Sequence, residues 1–374
     1  MRAPGAKPAI ALVLLGVFLV AIFLIDQTRT GPATRLTQCN LALARADQPP
    51  AEVLVIGSSR SGVALDPVAL QDILSRETGA PRTVERMANG NMTIRLSDAL
   101  LDTYLARRGA PDTVVIEATF MTSRTIRRMQ QIAEGRAPEP YLLGRDLNVM
   151  TFGQLMRQPA VAMPFTEAEG TAALWRTRVR SVMLRAGALV YQFLKAPLER
   201  LAFEKCDRTD ITREETWPPD FSFAYEEGEI TQDLPDLIRD LRTEIEVLSG
   251  GRALSEWQLA QPKGRSYPYD FERDYRQGEM IYLARMVQAA EAQGSRVIVV
   301  PLPLYSFEID PADLEYLAAT LPESVEILDL YGQIGTDFGT FWYDDAHVVK
   351  YPAGLMTTAL MARHLLTGQT VDRQ

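Results

Sequence analysis

The chain has 374 residues, and its 39 Lys and Arg against 48 Asp and Glu leave a net charge of −9. That balance excludes a nucleic-acid surface, which needs clustered cations facing phosphates. Apolar residues make up 47% of the chain, enough for a substantial core in one large domain or in one domain with a sizeable insertion.

Residues 9–25, AIALVLLGVFLVAIFLI, form an unbroken apolar run, long enough with its flanks to cross a bilayer. Arg2 and Lys7 precede it and Asp26 closes it. The positive-inside rule then keeps the amino terminus in the cytoplasm and exports the rest of the chain. No small-x-small cleavage site lies after the run, so an uncleaved single-pass anchor, with residues 1–25 as tip and transmembrane helix, is favoured over a cleaved signal. Residues 26–50 read as a polar stalk ending in Gln48-Pro49-Pro50.

A βα rhythm begins next. Val53–Gly57 reads as a buried strand, Pro67–Arg76 as a helix and Val84–Ala88 as a second strand. Residues 92–107 carry Leu96, Ala99, Leu100 and Tyr104 at helical spacing, and Val114–Ala118 is a third strand. Residues 121–265 hold helical patterns and loops but no parallel strand, and are read as a largely helical insertion. Within it, Trp175, Val179, Val182, Ala186, Leu189 and Phe193 form an apolar stripe flanked by arginines, suited to packing on the main domain or to anionic lipid. The rhythm resumes with a helix ending near Gln293, a strand at Arg296–Val300, a helix at Pro311–Thr320, a strand at Val325–Leu330 and a last helix over 351–367. Such alternation predicts an α/β domain at 51–120 and 266–374. Its expected form is a three-layer, flavodoxin-like, mostly parallel five-stranded sheet with helices on both faces.

Cys39 and Cys206 are the only cysteines. Outside the cytoplasm two thiols readily form a disulfide, here tying the stalk to the insertion; the alternative is two isolated buried thiols.

The chemistry concentrates at two loops. VLVIGSSRSG, residues 53–62, breaks from an apolar run into Gly57-Ser58-Ser59. FWYDDAHVVKYPAGL, residues 341–355, holds Asp344 and His347 three positions apart. Sheets of this kind carry their sites at the carboxyl ends of the strands, where both loops are expected to open. A serine hydroxyl needs a base, and His347 fits that role. Asp344 would accept the proton on the other ring nitrogen; its neighbour Asp345 points elsewhere on a turn. His364, beside Arg363 in the last helix, is expected at the surface. The Ser59 N–H and the Gly90 N–H, with the amide of Asn89 or Asn91, are the expected oxyanion donors. Trp342 and Tyr343 suit sugar contact, as do the aromatics interleaved with carboxylates over 214–227, and Arg60 would meet either an acidic sugar or a nearby Asp. A metal site built from Asp344, Asp345 and His347 is the lesser alternative for want of further histidines; no cofactor is expected.

These two blocks resemble the SGNH, or GDSL-like, hydrolase superfamily over residues 51–120 and 271–367. In that superfamily a Gly-Asp-Ser block after the first strand carries the nucleophile, and an Asp-x-x-His block before the last helix carries acid and base. Gly57-Ser58-Ser59 matches the first, with Ser58 in place of the usual Asp, and Asp344-Asp345-Ala346-His347 matches the last. The third block of the superfamily has an oxyanion-hole asparagine. Here VVIEATFMTSR, residues 114–124, has none, leaving Glu117 or Thr119 to fill the space or Asn89 or Asn91 to substitute. The anchor, the Gly-Ser-Ser-Arg block and the insertion are similar to exported proteins of bacterial envelope-polymer acylation. The resemblance implies a serine acyl esterase or O-acyltransferase, periplasmic and held at the inner membrane. Its implied partners are an acylated polysaccharide and a membrane-bound acyl-donor protein. The other implied class is a catalytically degenerate member that binds glycan or scaffolds a modifying complex.

Overall fold

The computed structural model describes residues 35–89, 92–118, 230–251, 269–302, 311–334, 348 and 350–368, with isolated positions 150, 151, 153, 154, 183 and 186. The apolar run at 9–25, most of the stripe from Trp175 to Phe193, the aromatic segment 214–227, Cys206 and the whole block 341–347 lie outside these residues. Among the described residues no helix is long and apolar enough to cross a membrane. The chain divides into two compact units, Met1–Leu41 with Glu139–Cys206, and Ala42–Pro138 with Asp207–Gln374.

The second unit is built on a five-stranded, all-parallel sheet: β1 (Val53–Ser58), β2 (Val84–Asn89), β3 (Thr113–Ala118), β4 (Arg296–Pro301) and β5 (Glu326–Ile327). The strand order is β2-β1-β3-β4-β5, with Val53 opposite both Val84 and Thr113, and Thr113 opposite Arg296. β1 and β3 are buried along their whole length, as expected of central strands covered on both faces.

Successive strand residues point to opposite faces, and the two faces are packed by different helices. Val53, Val55, Val115, Ile298 and Val300 join one core with α2 (Ser59–Ala64), α3 (Pro67–Thr78), α5 (Leu234–Gly251) and α9 (Leu355–Thr367). Leu54, Ile56, Val114, Ile116, Val297 and Val299 are buried on the other face, where α4 (Ile94–Arg108) lies against β1 and α6 (Tyr269–Glu291) against β4 and α4. Each fully buried Leu or Ile in these layers contributes about 1.5–3 kcal/mol. Helix α5 falls within the stretch read as insertion from sequence, yet its Leu237, Ile238, Leu241 and Ile245 belong to the sheet's own core.

Local chemistry sets the helix ends. Asp66 caps α3 by accepting from Val68 N at 2.9 Å and Ala69 N at 3.2 Å, Pro67 opens it, and Gly79 closes it at φ +67°, a conformation that favours glycine. Thr93 caps α4 through Leu96 N at 3.2 Å. α7 (Pro311–Thr320) packs on β5, and α8 (Leu330–Ile334) comes after that strand.

Two sequence expectations shift. β5 is far shorter than Val325–Leu330: after Leu328 N bonds Val299 O, Asp329 Oδ1 accepts from Gly332 N at 2.7 Å and turns the chain into α8. The described part of the stalk is not merely polar either. Arg35–Ala44 is a helix (α1), and Cys39, Leu41, Leu43 and Ala44 are buried. Its exit is clamped by Arg108, which donates to the carbonyls of Leu43, Gln48 and Pro49 and to both oxygens of Glu85. The Tyr104 hydroxyl completes this buried group, donating to Glu85 Oε2 at 3.0 Å and accepting from Ala51 N at 2.8 Å.

Candidate functional site

The order β2-β1-β3 places a topological switch point between β1 and β3, whose outgoing chains leave in opposite directions across the sheet. Ligands of open α/β sheets bind at that crevice, outside the carboxyl ends of the strands. Ser59 comes directly after the last residue of β1, and Ala118 ends β3 beside it.

A strand-to-helix turn carries Ser59. Ser58 Oγ caps α2 by accepting from Arg60 N at 3.2 Å, so α2 begins immediately at Ser59. Gly57 permits a close approach of β3 to this turn: a Cβ there would sit 2.5 Å from Glu117 Cβ and closer still to Glu117 Oε2. Into the space left by the missing side chain comes the Glu117 carboxylate. Its Oε2 accepts from Ser58 N at 2.6 Å and Ser61 N at 3.1 Å, and its Oε1 accepts from Ser58 Oγ at 2.6 Å. A carboxylate in the middle of an apolar parallel sheet has to be satisfied in this way.

Arg60 stands 3.6 Å from Glu117 Oε1 through its Nε and donates from Nη1 to Leu302 O at 2.9 Å. Only 4% of it is exposed. Of the two partners expected for Arg60, an acidic sugar or a nearby Asp, the internal kind is the one seen, and it is the Glu117 carboxylate of the neighbouring strand. Tyr331 is buried near this pair; burial pushes its phenol pKa up, Arg60 opposes the shift and Glu117 adds to it. Glu117, one of the two residues expected to fill the space of the missing asparagine, accepts from the turn at Ser58 and Ser61.

The three serines of the turn differ in exposure. Ser58 is 4% exposed with its hydroxyl on Glu117, and Ser61 is 1% exposed with its hydroxyl on Ser58 O at 2.9 Å. Ser59 alone of the three is part-exposed. The far end of α2 is also held. Arg86, on β2, donates from Nη1 to Gly62 O at 2.5 Å and Leu65 O at 3.0 Å, and burial lowers its guanidinium pKa while Asp66 opposes this. Thr357 and Thr358 of α9 both donate to Ala64 O.

The remaining expected site residues divide between those described and those not. Asn89 ends β2 in register with Ser58, at the same sheet edge; Gly90 and Asn91 lie outside the described residues. Trp342, Tyr343, Asp344, Asp345 and His347 also lie outside them. Val348, next in the chain after His347, is buried in the core that includes Val63 and Ala64 of α2. The turn Lys350–Gly354 packs against α2, and its Tyr351 hydroxyl donates to Glu244 of α5. Burial, then that bond, push the Tyr351 phenol pKa up to about 12.

His364 is not at the surface. It is 4% exposed, with Nε2 2.7 Å from Glu326 Oε2 and 3.4 Å from Arg296 Nη2. Arg296 opens β4 and Glu326 opens β5, so this group lies at the amino edge of the sheet, opposite Ser59. The reason is its phase in α9: His364 is four residues after Leu360 and eight after Met356, on the buried stripe. Among the described residues no group of His, Cys, Asp and Glu is arranged to hold a metal ion. In comparisons with known proteins, no family model and no curated protein matches the chain.

Proposed function

We propose that this protein is a membrane-tethered serine acyl esterase or O-acyltransferase acting on an envelope or exported polysaccharide, with Ser59 as nucleophile, His347 as base and Asp344 orienting the imidazole. One observation carries this reading: of three serines in a strand-end turn at the switch point, two have their hydroxyls committed inward, and Ser59 is the part-exposed one. His364 is held at the opposite edge, which leaves His347 as the sole other histidine of the sequence for this role. Chain connectivity supports their meeting, since Lys350 begins a turn packed on α2 and three residues span at most ~11 Å.

In this scheme Ser59 Oγ attacks the acyl carbonyl as His347 takes its proton. The negative oxygen of the tetrahedral intermediate accepts from the Ser59 and Gly90 N–H groups, with Asn89 or Asn91 adding an amide. The departing alkoxide takes the proton back from His347. Water or a sugar hydroxyl, deprotonated by the same ring, then attacks the acyl-serine and releases it. Trp342 and Tyr343 hold the sugar. The apolar run at 9–25 anchors the protein to the bacterial inner membrane with the site on the periplasmic side, near a membrane-bound acyl-donor protein, and a Cys39–Cys206 disulfide stabilises the segment after the anchor.

A second reading, a degenerate member that binds glycan without turning it over, draws on Glu117. The third strand offers a committed acceptor at the position where the SGNH resemblance implies a donor. Release of acetate from an acetylated glycan by the detergent-solubilised full chain separates the two. Release that disappears in Ser59→Ala and His347→Ala supports the enzyme. Glycan retention by wild type and both variants, with no acetate formed, supports the binder.

A further inference from the structure

We infer that Glu117 is a positioning residue for Ser59, an inference that rests on the serine reading above. The Ser59 peptide has bonds to Glu117 on both sides, at Ser58 N and Oγ before it and at Ser61 N after it. The carboxylate thereby fixes two backbone donors flanking the nucleophile. The guanidinium of Arg60, 3.6 Å away, balances its charge without entering the substrate face. Gly57 has no side chain to keep the two strands apart there. The arrangement ties the orientation of the Ser59 hydroxyl and N–H to the sheet and not to the loop, which is where precision in a catalytic geometry comes from.

Charge and shape separate in Glu117→Gln. With its oxygen toward Ser58 N and Ser61 N, Gln keeps those two contacts, while its amide nitrogen takes from the Ser58 hydroxyl its acceptor and from Arg60 the opposing charge. Ser58→Ala keeps the charges of Glu117 and Arg60 and removes two contacts, the hydroxyl's bond to Glu117 and its cap on Arg60 N. A merely structural Glu117 would change stability and leave the reactivity of the folded protein alone. A positioning Glu117 changes reactivity in protein that is still folded.

The test uses the solubilised full chain and a fluorophosphonate probe. It measures the second-order labelling rate of Ser59, together with kcat and KM for p-nitrophenyl acetate and the thermal midpoint. The expected result is a lowered midpoint in both Glu117→Gln and Ser58→Ala with the protein still folded at the assay temperature, and a fall in labelling rate and kcat of about tenfold or more in Glu117→Gln, smaller in Ser58→Ala, with KM little changed. Wild-type rates in both variants overturn this inference alone. Absence of labelling at Ser59 in the wild type overturns the serine reading and this inference with it. Should Glu117→Gln fail to fold, the rate in folded Ser58→Ala decides: an unchanged rate overturns the inference and a slowed one supports it.

Discussion

Gly57→Ala puts a single methyl into the tightest place in the sheet. The new Cβ would lie 2.5 Å from Glu117 Cβ and from Ser61 Oγ, and closer still to Glu117 Oε2, against ordinary contacts near ~3.5–4 Å. The carboxylate end could swing away, but only by leaving Ser58 N, Ser58 Oγ and Ser61 N. Glu117 Cβ cannot move without displacing β3, whose pairing with β1 and β4 fixes its path. Overpacking alone costs about 1–3 kcal/mol. Loss of even one buried bond to the carboxylate adds about 1–3 kcal/mol. The expected destabilisation is therefore about 2–6 kcal/mol, large for one methyl group. Urea unfolding monitored by far-UV circular dichroism measures it as a lowered midpoint at unchanged slope. A Gly57→Ala protein within ~0.5 kcal/mol of wild type would refute the close approach of β1 and β3 at this turn, and with it the explanation of how Ser59 is held.

Other consequences are equally open to measurement. Glu85→Ala leaves Arg108 buried beside its former partner and should lower stability by about 3–5 kcal/mol, with Glu85→Ala/Arg108→Ala losing less than the sum of the single changes in a double-mutant cycle. The Glu326 carboxyl is held below its usual pKa, chiefly by the Arg296 hydrogen bonds. Its contribution is therefore present above the unfolded value of ~4.3 and lost as pH falls through the lower folded value. The stability difference between wild type and Arg296→Met should accordingly be largest near neutral pH and shrink on acidification, and a constant difference from about pH 7 to 3 would contradict it. Thr357→Val removes a hydroxyl that donates to Ala64 O and to Gly354 O at 2.8 Å, and should cost about 1–2 kcal/mol by thermal or chemical denaturation.

Much of the frame is legible in the sequence because its signals are local. The apolar runs at 53–57, 114–118 and 296–300 are short, and Gly, Pro and Asp bound them, so parallel strands fall within a residue or so of β1, β3 and β4. The helix Ser59–Ala64 escapes a pattern reading, although Ser58 is a residue type that caps helices; six residues are too few for a period to show. β5 reads as too long because VEILDL has strand composition throughout, whereas Asp329 acts through a turn that only the neighbouring Gly332 reveals. His364 looks like a surface residue beside Arg363, though its spacing from Met356 and Leu360 carries the contrary signal. Glu117 is the instructive case. A charge inside VVIEA announces a buried, partnered carboxylate, but its partners are 56 and 59 residues away, in α2 and at the end of β1, and pairing at that range comes from topology and not from pattern.

The central claim is that the Ser59 hydroxyl is the reacting group. Mass-spectrometric mapping of the adduct formed by a fluorophosphonate on the intact protein tests it most directly. Modification confined to the peptide containing Ser59, abolished in Ser59→Ala and slowed in His347→Ala, is the predicted result. An adduct on any other residue, or undiminished labelling in Ser59→Ala, would contradict it.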